Sequence, residues 1–182
     1  MKIVGCKEVR HMEREEWEII YETYYKPLYL YALSLTGNRL DTEDLVQEAF
    51  VKAFLSYRKI GSLKYWLVTV LRNEFLNLQR KRKKELLNDG TLFAGCQNDE
   101  KEALLERVIE NENRRLLFDA IQKLPLVMKE VLMESVYFHM SDAEIAKLHG
   151  MTDVNVRKIR SRAKQKLLEV FDGRSGGYGK VE

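Results

Sequence analysis

Residues 141–171 read SDAEIAKLHGMTDVNVRKIRSRAKQKLLEVF, and this stretch limits the fold more than any other in the chain. Ser141 and Glu144 have the S-x-x-E spacing of a capping box, so a short helix opens there. Ile145, Ala146 and Leu148 give that helix a buried side. His149-Gly150-Met151-Thr152 forms the turn, with Gly150 supplying the left-handed backbone position that ends a helix. A second helix starts near Asp153, and Val156, Ile159, Ala163 and Leu167 recur along its inward face. Its outward face carries Arg157, Lys158, Arg160, Arg162, Lys164 and Lys166. A short helix, a tight turn and a basic second helix make a helix-turn-helix. A merely solvated face mixes signs, as residues 100–119 do, whereas residues 153–166 hold six cations and one acid. That imbalance points to a polyanion, and the form of the unit points to DNA.

The remainder also reads as helix. Only two prolines and ten glycines interrupt 182 residues, and 45% hydrophobic with 32% charged residues is a globular composition. The expected fold class is all-α, two small helical domains joined by a linker, the C-terminal one a helix-turn-helix. No apolar run approaches the roughly 20 residues of a membrane span, and the charged N-terminus lacks a signal-peptide core. A cytoplasmic protein without membrane insertion is expected. Cys6 and Cys96 form neither a CxxC pair nor a metal spacing, so both read as free thiols. With three histidines and no nucleophile–base arrangement or phosphate-cradling loop, the reading is no enzyme, no catalytic residue, no metal and no cofactor.

The N-terminal block, 15–84, begins with Trp17, Ile20, Tyr21, Tyr24 and Leu28 at helical spacing. Pro27 is expected to kink or break this helix, and Thr36-Gly37-Asn38 to stop it. The next helix is expected to run from about Asp41 to Tyr57, with Asp41 as N-cap and Asp44 at N3. Leu45, Val46, Ala49, Phe50, Ala53 and Phe54 form its apolar stripe. Asp44, Gln47 and Glu48 share the other face, and neither Gln47 nor Glu48 is needed by a cap. A short connector, 58–64, leads to a third helix bearing Trp66, Val70, Asn73 and Asn77. Its end is strongly basic, with six cations and one acid in residues 72–84. Tyr57, Tyr65, Trp66 and Phe75 lie close to those cations, a combination suited to melted or single-stranded nucleic acid. The alternative for Trp66 and Phe75 is a core role, and for Trp66, which shares a stripe with Val70, that is the better reading. Residues 85–112 read as an acidic linker, 113–171 as the second block punctuated by Pro125, and 172–182 as a disordered glycine-rich tail.

Three segments, in the two separated blocks, together resemble one family. DTEDLVQEAFVKAF resembles region 2.2, and YWLVTVLRNEFLNLQRKRK resembles regions 2.3–2.4, of the extracytoplasmic-function (ECF) group of bacterial RNA polymerase sigma factors. The marks are Trp66-Leu67, Arg72-Asn73 and Arg80. LPLVMKEVLMESVYFHMSDAEIAKLHGMTDVNVRKIRSRAKQKL resembles region 4, with Leu124-Pro125 and Glu144-Ile145-Ala146. The resemblance implies a dissociable, non-catalytic subunit that directs core RNA polymerase to promoter DNA. By the same resemblance Asp44, Gln47 and Glu48 dock on the β′ clamp helices, and region 4 on the β flap. Arg72, Asn73 and Arg80 meet the −10 element; Arg157, Lys158, Arg160 and Arg162 meet the −35 element. An anti-sigma factor is a further implied partner. The chain departs from the pattern in a short connector with Ile60 and Gly61-Ser62, in the order Ile159-Arg160, and in Asn77 where an aspartate is common.

A dimeric helix-turn-helix regulator that acts without being a polymerase subunit would also explain residues 141–171. It leaves the Asp44/Gln47/Glu48 face and the 72–84 patch without a purpose.

Overall fold

The computed structural model describes residues 14–57, 61–89 and 112–175. Among them are seven helices: α1 Arg14–Thr36, α2 Arg39–Ser56, α3 Leu63–Asp89, α4 Glu112–Gln122, α5 Leu126–Tyr137, α6 Asp142–His149 and α7 Asp153–Ser175. Cys6, Cys96, Ile60, most of the expected linker and the last residues of the tail lie outside the described residues.

Several expected boundaries move, each for a physical reason. α1 runs unbroken through Pro27. An internal proline costs about 3 kcal/mol, and the burial of Leu28, Tyr29, Tyr31 and Ala32 just beyond it outweighs that. Gly37 takes a left-handed φ of 70° and ends α1 where the sequence indicated. The N-cap of α2 is Asn38, not Asp41: its side chain accepts from the Asp41 amide at 2.9 Å. Asp41 is therefore at N3 and Asp44 lies a turn further in, outside the cap. α3 continues past Lys84 to Asp89, and α7 continues past Phe171 to Ser175.

In α2, Leu45, Val46, Ala49 and Ala53 are buried, whereas Phe54 stays 55% exposed against Trp17. The buried face of α3 is Leu67, Val68, Leu71 and Phe75, with Trp66 and Val70 at its rim. These residues form one cluster with Ile121, Leu124, Val131, Phe138, Ile145, Val156 and Ala163 of the second block. The two blocks thus share a continuous core. α5 sits at the centre of the junction, packed on α1 from one side and on α6 and α7 from the other. Being covered on both sides explains why Glu130 and Glu134 are buried along with Val131, Leu132 and Met133.

Candidate nucleic-acid interface

The helix-turn-helix forms as the sequence indicates. Ser141 Oγ accepts from the Glu144 amide and Glu144 accepts from the Ser141 amide at 2.8 Å, completing the capping box. Those hydrogen bonds from Ser141 lower the Glu144 pKa. Gly150 ends α6 with φ 64°. Val156 and Ala163 are fully buried and Ile159 and Leu167 half-buried, which turns the opposite side of α7 to solvent. Arg157, Lys158, Arg162, Lys164 and Lys166 are all exposed.

Arg160 is placed differently from its cationic neighbours. It is partly buried, with Nη1 donating to Asp142 Oδ1 at 2.5 Å and to Ser135 Oγ at 3.3 Å. A residue expected outward therefore ties α7 to α6 and α5. The 100° step from Ile159 turns it toward Asp142 instead of away from the protein. Sequence reasoning missed Val154 and Asn155, both exposed in the first turn of α7. The general rule that a recognition helix reads base edges through its N-terminal residues would have singled them out.

On the first block, Asp44, Gln47 and Glu48 are exposed on one side of α2, as expected. Glu48 shares Lys52 with Glu74 at 3.1 and 2.8 Å. Asn73 and Arg80 are exposed along α3, with Arg80 donating to Asn77 at 3.2 Å. Lys81, Lys83 and Lys84 continue that exposed cationic end. Arg82 donates to Asp41 at 2.6 Å and pins the basic end of α3 to the start of α2. Of the aromatics near these cations, Phe75 is core, while Trp66 packs edge-on to Tyr57 at 5.8 Å. The Tyr57 hydroxyl donates to the Gly61 carbonyl at 2.9 Å and clasps the connector.

Arg72 does not lie with Asn73 and Arg80. Its Nε donates to Glu130 Oε1 at 2.9 Å, across the junction between the blocks. A polar network surrounds that pair. The Tyr31 hydroxyl donates to Glu134 at 2.8 Å, and His149 Nε2 lies 2.8 Å from the same carboxylate. Burial raises the Glu130 pKa against the pull of Arg72, and burial with Glu134 raises the Tyr31 pKa well above its ordinary value. Nothing in the 3.6-residue period announces this network. Glu130 and Glu134, one turn apart in an apolar run, were the available signal.

No group of three or more His, Cys, Asp or Glu among the described residues is arranged to hold a metal ion. No helix among them is long and apolar enough to cross a membrane.

Comparison with known proteins agrees with this geometry. Residues 20–85 match Sigma-70 region 2, and residues 114–167 match Sigma-70 region 4. The chain is 27% identical over 156 residues to the ECF RNA polymerase sigma factor SigM of Bacillus subtilis, covering 84% of this chain and 93% of SigM. It is 30% identical over 146 residues to the ECF RNA polymerase sigma factor SigL of Mycobacterium tuberculosis, covering 76% and 78%. Its fold resembles that of the sigma factor RpoE, solved in complex with the anti-sigma factor NepR from Bartonella quintana. That likeness has a TM-score of 0.67 at 23% identity, over 87% of this chain and 98% of RpoE. CnrH, solved with the cytosolic domain of CnrY, gives a TM-score of 0.60 at 20% identity, over 88% and 90%. Two helical blocks in this order, one with an exposed polar face on α2 and the other a basic helix-turn-helix, belong to a chain that is a member of the ECF RNA polymerase sigma factors.

Proposed function

We propose that this sigma factor docks on the β′ clamp helices of core RNA polymerase through Asp44, Gln47 and Glu48 of α2. Region 4 engages the β flap, and the catalytic chemistry belongs to the polymerase. Asn73 and Arg80, joined by Arg72 once it is released from Glu130, meet the −10 element. Lys81, Lys83 and Lys84 hold phosphates nearby. α7 enters the −35 major groove, with Val154 and Asn155 toward base edges and Arg157, Lys158 and Arg162 toward bases and phosphates. Arg160 orients α7 through Asp142. The complex of RpoE with the anti-sigma factor NepR supports an anti-sigma factor as a regulatory partner. A cytoplasmic location follows from the same role.

The observation that carries this reading is the presence of two exposed cationic surfaces, one on each helical block, at the end of α3 and on the outer side of α7. A dimeric regulator needs only the second. Run-off transcription with core polymerase over a genomic library tests it: initiation at a defined set of promoters, absent without the chain, is the expected result. Binding of palindromic DNA without polymerase, and no initiation with it, would overturn the reading.

A further inference from the structure

We propose that Asn77 is a specificity-determining residue for the −10 element. It fixes the Arg80 guanidinium and shares with it an edge made only of hydrogen-bond donors. Such an edge selects a base with an exocyclic keto oxygen over one with an exocyclic amine. The inference rests on the sigma-factor reading above and adds the chemical class of base that α3 reads.

α3 sets its outward polar groups in one line. At about 100° per residue, Asn73, Asn77, Arg80 and Lys84 fall within a sector of roughly 60°. All four are exposed, and the buried Val68, Leu71 and Phe75 lie on the opposite side of the helix. Trp66 and Val70, half-buried, continue the line toward the connector. None of these six positions is an acid. Glu74, the neighbour of Asn73, is held aside by Lys52 at 2.8 Å. Arg72 and Arg82 are drawn away to Glu130 and Asp41. The helix rises about 6 Å between Asn73 and Asn77, nearly two base steps of ~3.4 Å. Asn73 and the Asn77–Arg80 pair therefore address different bases.

The orientation of the Asn77 amide follows from its partner. Arg80 Nη1 donates to Asn77 Oδ1 at 3.2 Å. A guanidinium has no acceptor, so the amide turns its oxygen to Arg80 and its NH2 group away. The free ends of both side chains then carry N–H donors alone. Guanine offers O6 and N7 to such an edge, and thymine offers O4. Adenine and cytosine place the N6 or N4 amine there, donor against donor. These exocyclic groups are accessible in the major groove and again on an unstacked strand, so the selection holds before and after melting.

Folding gives this pair no other purpose. A hydrogen bond between two exposed side chains exchanges with water and adds little stability. Its effect is to hold the guanidinium in one place before DNA arrives, which reduces the ordering cost of binding. An aspartate at 77 would keep an oxygen toward Arg80 but offset its charge and present an acceptor outward. That edge would suit an amine instead.

Initiation by core polymerase from a promoter library tests the assignment. Each −10 base pair is randomised in turn with the −35 element fixed, and transcripts are counted by sequencing. At one −10 position the parent chain is expected to favour keto over amino bases on one strand by at least about fivefold, the low end of a base-edge contact. Asn77→Asp is expected to reverse that preference, and Asn77→Ala to reduce it at least about threefold. Preferences at the other −10 positions, the melting temperature and co-purification with core polymerase are expected to stay as in the parent; a purely structural role would move the last two. A parent with no keto preference at any −10 position would overturn the proposal, as would an unchanged preference in Asn77→Asp. Equal loss of initiation across all sequences in both variants would also overturn it, marking Asn77 as a phosphate or packing residue. Failure of the parent to initiate from any library member removes the sigma-factor reading instead. Initiation with the same base preference in parent and variants removes the Asn77 assignment alone.

Discussion

Arg72 Nε lies 2.9 Å from Glu130 Oε1, joining α3 of region 2 to α5 of region 4. Their side chains are 19% and 1% exposed, so solvent screens the pair weakly. Arg72→Gln and Glu130→Gln should each destabilise the chain, and the double substitution by less than their sum. A coupling energy of about 0.5–3 kcal/mol is expected from a double-mutant cycle in guanidinium unfolding. Strict additivity would mean that the two residues stabilise independently.

Asn38 and Asp44 separate folding from the proposed docking on one helix. Asn38→Ala removes the N-cap of α2 and should cost about 1 kcal/mol in thermal unfolding. Asp44→Lys, outside the cap and exposed, should change stability by less than about 0.5 kcal/mol. The same substitution should weaken association with core polymerase roughly tenfold by placing a cation where an anion is matched. A stability loss without a binding loss would return Asp44 to a purely structural role.

The capping box gives a pH dependence with a definite sign. Hydrogen bonds from Ser141 lower the folded Glu144 pKa below its ordinary value. A carboxylate of that kind adds stability above the ordinary range, and the gain disappears as pH falls through the lowered folded value. Glu144→Gln should flatten that acid limb when unfolding is followed from neutral pH downward. Ser141→Ala should cost about 0.5–2 kcal/mol at neutral pH, where the box is intact. An acid limb unchanged by Glu144→Gln would assign it to other carboxylates.

Positions on α7 should divide by what they read. Asn155→Ala should lower discrimination at one −35 base pair by about 1–3 kcal/mol. Lys158→Ala should weaken binding uniformly across sequences and reduce the salt slope by about 0.9. Arg160→Ala should lower the melting temperature, because Asp142 and Ser135 lose their donor, with a loss of about 1 kcal/mol. Promoter binding by the polymerase complex at several salt concentrations, with thermal melts of the free variants, checks all three. A sequence-specific effect at Lys158 with a uniform one at Asn155 would reverse the assignment.

The sequence by itself determined what is local. Ser141 and Glu144 fix one helix start, Gly37 and Gly150 fix two ends, and spacing puts Val156 and Ala163 inside and Arg157 and Lys158 outside. Capping, left-handed turns and the 3.6-residue period act within a few residues, so the chain states them openly. The same locality exposes Asp44, Gln47 and Glu48 on one face of α2. Tertiary structure decided everything that depends on a partner far along the chain. It carried α1 through Pro27 by burying Leu28 and Tyr31, and it joined Arg82 to Asp41. It turned Arg160 inward to Asp142 and drew Arg72 across to Glu130, 58 residues away. An ionised side chain reads alike in sequence whether it faces water, DNA or a buried carboxylate. Only the packing of α5 against α1 selects among them, because burial makes an unpaired charge too costly to leave.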